Sequence, residues 1–417
     1  MSAKLQAPRG TYDVLPEEAI RRTAVEEAAR RILGAAGYRR IETPAFEATE
    51  LFARGVGSST DIVQKEMYTF EDGSGRSLTL RPEGTAPVAR AYIEHGMQKL
   101  PQPVKLWYLS SFFRYERAQA GRQRQFWQVG TEAIGSADPA VDAESIVLLA
   151  ELLDALGVRE LRLRLGSLGT AETRAAYREE LQAFLRAHED RLSEEVRARI
   201  DQNPLRAFDA DHPGTREVMA EAPRLLDRLS GEDADHFAAV RALLDGAGLT
   251  YEVDPTRVRG LDYYARTVFE FTSDALGAQS GVGGGGRYDG LIEQLGGPPT
   301  AGVGWAAGIE RILLAAGEQA VAEPVVDLFV GHDPAHPEQR AAGFQIAHEA
   351  RRAGLTAQLE LAGRSLKGQL KQADRIGARY VAILGEEGAT VKDKESGEQE
   401  TVAPGAVVHH VLRGRSL

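Results

Sequence analysis

Between Ser111 and Glu132 the chain reads SFFRYERAQAGRQRQFWQVGTE, and its part up to Arg124 carries four arginines (114, 117, 122 and 124) against one acid, Glu116. Arginine stays protonated and presents a planar fork of donors, so such a cluster suits a reaction that holds carboxylates or phosphates while negative charge builds up. The strand-like pieces on either side of a polar loop containing Gly121 predict an antiparallel hairpin. Side chains two residues apart share a strand face. Arg114 and Glu116 therefore point one way, and Gln128 and Glu132 share a face on the return strand. Gly130 lies between them and leaves room for a ligand to approach the backbone. The plain alternative is a surface hairpin with cross-strand ion pairs, and spacing alone favours it.

Two other runs invite chemistry and fail. Gly281 to Gly286, GVGGGG, lacks the following helix and acidic residue of a dinucleotide-binding unit. His332 and His336 have a metal-like spacing, but Pro334 between them breaks any helix and no third ligand is evident, so metal content stays open. The absence of cysteine removes disulfides, thiolate nucleophiles and Cys-based zinc sites, and makes a cytoplasmic protein the expectation. No apolar run reaches the roughly 18 residues of a membrane span, and Met1 to Gly10 lacks the apolar core of a secretory signal, so no membrane partner is expected.

The elements that must position these residues follow from periodicity. With 417 residues, two or three domains are expected. Asp13 is placed to cap a first helix, with Pro16 in its first turn and Ile20, Ala24, Ala28 and Ile32 on one face. Strand-like runs follow at 38–43, 66–70, 77–80, 104–109 and 125–134, then a helix over 139–156 and a strand over 160–165. From about 170 to 248 the pattern is nearly all helical and reads as an insertion. Strand character returns at 250–253 and 266–272, and helices start at Tyr288 and Ala307. Beyond a linker at 317–324, runs at 326–330, 357–361 and 380–384 alternate with helices as β-α-β-α-β, a small α/β domain. The formal charge of −11 argues at first against a nucleic-acid partner. Local balance differs: residues 111–124 carry +3 and residues 351–379 carry +5. Either cluster alone is ordinarily a solvated face.

The run FRYERAQAGRQRQFWQ closely resembles motif 2 of class II aminoacyl-tRNA synthetases, in the form typical of histidyl-tRNA synthetases. Other resemblances follow in the family's order: RGTYDVLP at 9–16; Tyr38 to Phe46, with Pro44, as motif 1 at the dimer interface; RPEGT at 81–85, where the family binds its amino acid; RVRGLDYY at 257–264, the signature peculiar to histidine enzymes; and GVGWAAGIERIL at 302–313 as motif 3. Together they run over essentially the whole chain. Two departures, Trp305 in place of a smaller aromatic and Gly388 in place of an acid, touch no implied ligand.

The resemblance implies an α+β catalytic domain with an antiparallel sheet (1–169 and 249–322), a helical insertion (170–248) and a C-terminal α/β anticodon-binding domain (323–417). It implies activation of L-histidine by ATP, with Mg2+, to an adenylate, followed by transfer to the 3′ end of tRNA(His), with no covalent enzyme intermediate. Such a reaction joins two anions, so positioning and positive charge carry the catalysis. Arg114 and Arg259 are then the catalytic cations. Glu83, Thr85, Arg114, Gln128, Glu132, Arg259, Tyr263, Tyr264 and Tyr288 form the histidine site, with Glu132 and Tyr264 on the ring nitrogens. Arg114, Arg122, Glu116 and Arg311 bind ATP, and Arg117, Arg124, Lys367 and Lys371 meet tRNA. A homodimer is implied by motif 1. The rivals are the non-catalytic regulatory paralogue of these enzymes, which loses the ATP-binding arginines and the C-terminal domain, and a sister synthetase for threonine, proline or glycine, which would lack RGLDYY.

Overall fold

A computed structural model of the chain describes residues 4–57, 60–116, 121–255, 263–277, 280–317 and 326–415. The chain divides into two compact units, Met1–Gln319 and Ala320–Leu417. The first begins with α1 (Pro16–Ala35), β1 (Arg39–Arg40), β2 (Phe46–Ala48), α2 (Thr49–Gly55), β3 (Thr69–Glu71), β4 (Ser77–Leu80) and α3 (Thr85–Glu94). The hairpin β5 (Val104–Phe113) and β6 (Gln125–Ile134) follows, then α4 (Pro139–Ala155) and β7 (Leu161–Ser167). Next come α5 (Ala171–Ala187), α6 (Glu194–Arg199), α7 (Pro213–Ala220) and α8 (Glu232–Gly246). The unit closes with β8 (Glu252–Val253), β9 (Ala265–Ser273), β10 (Gly281–Arg287), α9 (Leu291–Gln294), β11 (Gly302–Gly308) and α10 (Ile309–Ala316).

Among the described residues, the main sheet has the order β1-β5-β6-β11-β10-β9-β7-β8. Its central pairings are antiparallel, and only the β1–β5 and β7–β8 pairs at its edges are parallel. The predicted hairpin forms, with Tyr108 opposite Gly130 and Ser110 opposite Gln128. One face of the sheet packs on α4, whose Ile146, Leu149, Leu152 and Leu153 are fully buried between it and α1 and α8.

The start of α1 differs from the expectation. The N-cap position is Leu15, with no side-chain cap, and Pro16 opens the helix unaided by Asp13. Its buried face is Val25, Ala29, Ile32 and Leu33, because α1 is wedged between α4 and α10 and not against one partner. The helical stretch 170–248 is not uniform. Residues of α5, α6 and α7 share a core with Tyr108 and Tyr264, whereas Phe237, Val240 and Leu244 of α8 pack into the core beneath the sheet.

Under the sheet a buried ionic network crosses these elements. Asp142 of α4 and Arg287 at the end of β10 are both fully buried and paired through two contacts, with Nε to Oδ1 at 3.2 Å. Arg287 also donates to the Ser136 carbonyl at 3.0 Å and to Asp289 at 3.1 Å, and Nε2 of His236 on α8 lies 3.4 Å from Asp142. The arginine and its neighbour histidine hold the Asp142 carboxyl below its usual range despite burial.

The second unit contains β12 (Leu328–His332), α11 (Gln339–Arg352), β13 (Ala357–Leu359), α12 (Leu366–Arg375), β14 (Tyr380–Gly385), β15 (Gly388–Asp393), β16 (Gln399–Val402) and α13 (Val407–Arg415). Its sheet order is β13-β12-β14-β15-β16, parallel across the first three strands. The β-α-β-α-β pattern is present, extended by an antiparallel pair and a closing helix. Leu328 and Val330 face α11 and α13, while Phe329 and Val381 face Ala373 of α12. No described helix is long and apolar enough to cross a membrane.

Arg287→Leu strips Asp142 of its counter-ion in a dry interior. We expect a loss of about 3–5 kcal/mol, read as a shift in urea-unfolding midpoint. A loss below about 1 kcal/mol would mean that the pair does not hold α4 to the sheet.

Candidate active site

On the open face of the main sheet two clefts of about 400 and 360 Å³ share Arg114, Glu116, Arg122, Gln128, Gly284 and Ala306 in their walls. Strand pairing brings Gln128, Gly284 and Ala306 together from β6, β10 and β11. The first cleft is bounded further by Glu83, Thr85, Tyr108, Tyr263 and Tyr264. The second is bounded further by Gly121, Glu270, Gly283 and Arg311.

Glu83 precedes α3 and accepts from the backbone N–H of Thr85 at 2.7 Å and of Ala86 at 2.9 Å. It therefore caps that helix, where the dipole favours a carboxylate, and it lines the first cleft as well. Burial raises its pKa, offset in part by those two N–H groups and by Arg114. The Tyr263 hydroxyl lies 3.5 Å from it. Gln128 keeps its side-chain oxygen buried, with no hydrogen-bond partner among the described residues. A buried acceptor left unpaired is costly, which points to a ligand donor in this cleft.

Glu132 lies one layer deeper and is fully buried. Its carboxyl accepts from the hydroxyls of Thr85 at 2.8 Å, Tyr288 at 2.6 Å and Tyr108 at 3.4 Å. Burial dominates its titration and lifts its pKa to about 8 despite those donors. Thr85 and Tyr108 line the first cleft; Glu132 and Tyr288 stand behind it. The space above Gly130 is not left for a ligand. A Cβ there would overlap the Tyr108 ring, and a Cβ on Gly304 would overlap the Glu132 carboxyl. These glycines admit the aromatic ring and the acid.

Arg114, at the junction of the clefts, donates Nε–H to the Pro82 carbonyl at 2.8 Å and packs over Phe126 at 5.4 Å. One edge of its guanidinium is thus fixed, and Glu116 lies 4.0 Å from the other. Glu116 also pairs with Arg122 at 2.8 Å. Arg311 of α10 donates to the Gly281 carbonyl across the second cleft. Its neighbour Glu310 accepts from the Trp127 N–H through both carboxyl oxygens at 3.1 Å, and from Arg22 of α1 at 2.9 Å. Tyr12 donates to the same carboxylate at 3.2 Å, which ties the N-terminal segment to the hairpin.

The structure thus brings Glu83, Thr85, Tyr263 and Tyr264 to one cleft and Arg311 to the other, with Arg114, Glu116, Arg122 and Gln128 common to both. Arg124 lies in neither wall; it stacks on Tyr115 at 4.1 Å. Arg117 and Arg259 fall outside the described residues. Lys367 and Lys371 are exposed, one turn apart on α12 of the second unit. Sequence reading missed Tyr108, which looks like any apolar residue of a central strand, and Glu66, Glu270 and Arg206, which carry no motif.

The family model of histidyl-tRNA synthetase matches residues 10–312, and that of the anticodon binding domain matches residues 330–413. The histidine–tRNA ligase of Halorhodospira halophila is 49% identical over 423 aligned residues, covering 98% of each chain. That of Rubrobacter xylanophilus is 48% identical over 412 aligned residues, covering 95% of this chain and 96% of the relative. The crystal structure of apo S. aureus histidyl-tRNA synthetase aligns with a TM-score of 0.81 at 36% identity, over 98% of this chain and 100% of that one.

The state of Glu132 sets a pH dependence. The unfolded chain ionises this group near 4.5, whereas the folded protein keeps it protonated up to about 8. Between those values the folded state binds the extra proton, so stability falls as pH rises. Glu132→Gln removes that contribution, and unfolding free energies measured across the window should decline less steeply in the variant. Equal slopes would place the ionised carboxylate in the folded protein.

Proposed function

The chain belongs to the histidyl-tRNA synthetase family, whose reaction is the ATP-dependent charging of tRNA(His) with histidine, and we propose that its two joined clefts divide that reaction at Arg114. The observation that carries this reading is that Arg114, Gln128 and Glu116 line both clefts. A guanidinium at that junction touches the histidine carboxylate on one side and the ATP α-phosphate on the other. The carboxylate attacks the phosphorus, pyrophosphate leaves, and the adenylate stays bound. A ribose hydroxyl at the 3′ end of the tRNA then attacks the carbonyl and AMP leaves. Nothing in this scheme needs a covalent bond to the enzyme.

In the first cleft Glu83 holds the α-ammonium, with Thr85 beside it, and Gln128 meets the carboxylate region. The imidazole is assigned to Tyr264 and Glu132, the latter acting through the Thr85 and Tyr108 hydroxyls that it orients. Tyr263 and Tyr288 shape the pocket. A ligand that leaves such buried groups unpaired is rejected by about 10⁴-fold or more. In the second cleft Arg122, steered by Glu116, and Arg311 take the outer phosphates. Arg259 is assigned to the α-phosphate from the family's motif. We take ATP to arrive with Mg2+. Among the described residues no group of three His, Cys, Asp or Glu is placed to cage a metal. The carboxylates of Glu116 and Glu270 on the second cleft suit an ion that keeps most of its ligands as phosphate and water.

The tRNA is assigned to three places: the hairpin loop with Arg117 and Arg124 at the acceptor end, the helical stretch 170–248 along the acceptor stem, and the 323–417 domain, with Lys367 and Lys371, at the anticodon. The catalytic body is then 1–169 with 249–322. A homodimer is assigned to the motif 1 side, where Phe46 of β2 and Phe70 of β3, the strands on either side of β4, are 49% and 43% exposed and meet edge-on at 6.1 Å. The cytoplasm is the compartment we assign.

ATP–pyrophosphate exchange, run with each amino acid in turn and without tRNA, should proceed with histidine alone. Histidine binding without exchange would favour a regulatory role instead. Arg114→Ala should lower exchange kcat by about 10²–10³-fold with an unchanged melting curve; wild-type exchange would remove Arg114 from the chemistry. A chain ending at Gln319, the boundary of the first compact unit, should retain exchange and lose most tRNA charging. Normal charging by that fragment would refute the anticodon assignment.

A further inference from the structure

A third cleft, of about 330 Å³, opens within the helical stretch between β7 and β8. Pro204, Ala207 and Ala210 give it an apolar floor of small side chains, and Asn203 adds a carboxamide. Arg206 and Asp61 line this cleft and the first catalytic cleft alike, so the two spaces meet at those residues. Arg206 sits on a short 3-10 turn, Pro204–Asp209, which Ala207 anchors in the surrounding core. The preceding segment is clasped to α5: Arg178 donates to the Asp201 carbonyl at 3.0 Å and Gln182 to the Ile200 carbonyl at 3.1 Å. The position of Arg206 is thus set by packing. Two further acids of the cleft are each matched by an arginine, Glu195 by Arg199 at 3.5 Å and Asp211 by Arg216 at 2.5 Å.

The second half-reaction brings a single-stranded RNA end to the adenylate. The terminal nucleoside occupies the catalytic cleft, and its neighbour, one phosphodiester away, must lie in whatever space adjoins. Unpaired bases are held by flat contacts and by hydrogen bonds to their edges, and phosphates by arginine forks. The volume lies at the lower end of the roughly 300–1,000 Å³ that holds a small organic ligand, so it takes one nucleotide and not a duplex. We propose that this cleft receives the penultimate nucleotide of the tRNA 3′ end. Its base lies over Pro204, Ala207 and Ala210 with Asn203 at its edge, and Arg206 holds the phosphate that joins it to the terminal adenosine. The subsite rests on the reading of the two catalytic clefts given above.

The test uses the full-length chain and separates the half-reactions. Asn203→Ala removes the edge contact and Ala210→Trp fills the floor; neither residue lines a catalytic cleft. ATP–pyrophosphate exchange with histidine should stay within about twofold of wild type. Single-turnover transfer from bound adenylate to tRNA(His) should slow by about tenfold, the effect of roughly 1.4 kcal/mol. Replacing the penultimate cytidine by uridine should slow transfer by the wild type but add little to the loss in Asn203→Ala. Wild-type transfer in both variants would overturn the subsite, as would equal loss of exchange and transfer, which marks a purely structural role. Wild-type exchange with histidine checks the underlying reading separately, and its absence would bring the subsite down with it.

Discussion

A fully buried carboxyl group, Glu132, sits at the centre of this molecule, and much of the site is arranged to satisfy it. Leaving an acid without partners in the middle of a sheet would cost several kcal/mol. Here three hydroxyls reach it, from the first turn of α3, from β5 and from the turn after β10. Those donors fix where α3 enters and how Tyr108 stands. They also account for glycine at 130 and 304, since any side chain there would occupy the volume of the ring or of the acid. The same hydroxyls of Thr85 and Tyr108 face the first cleft. The buried acid therefore pre-orients a polar wall of that cleft.

Around this buried centre the charges are arranged in opposed pairs. Arg114 is held by a carbonyl on one edge and approached by Glu116 on the other, and Glu116 in turn positions Arg122. Glu310 is held by a backbone N–H of the hairpin and by Arg22 and Tyr12 from the N-terminal region. Each cation that faces a cleft is braced before a ligand arrives, which suits chemistry in which two anions must be brought together and stabilised without rearrangement. The net charge of −11 says nothing of this, because it is a sum over the whole chain, whereas Arg114, Arg122 and Arg311 line one cleft.

The helical stretch after β7 shows how a segment can look separate in sequence and yet be shared in space. Its last helix, α8, closes the core below the sheet, and His236 on it joins the Asp142–Arg287 pair. Its earlier turns approach the other face and bring Arg206 to the first cleft. The stretch is anchored on one side of the body and reaches to the first cleft on the other.

The sequence by itself determined the hairpin, the helix over 139–156, the alternating elements of the second unit up to Gly385, the family, and which arginines and carboxylates carry the motifs. These follow from local spacing, alternation and glycine placement, all of which survive in a linear string. It did not show that 281–287 and 302–308 are central strands of the main sheet or that a helix starts at Thr85. Only the tertiary structure decided that Gly130 makes room for Tyr108, that Glu132 stands behind the wall, and that Leu15, not Asp13, precedes α1. It alone brought Arg206 within reach, by folding a turn some 120 residues of chain from Thr85 against the same cleft. Those outcomes depend on which distant side chain fills a given volume and which buried group most needs a partner. That competition takes place between residues far apart in the chain, and no spacing along the chain records its result.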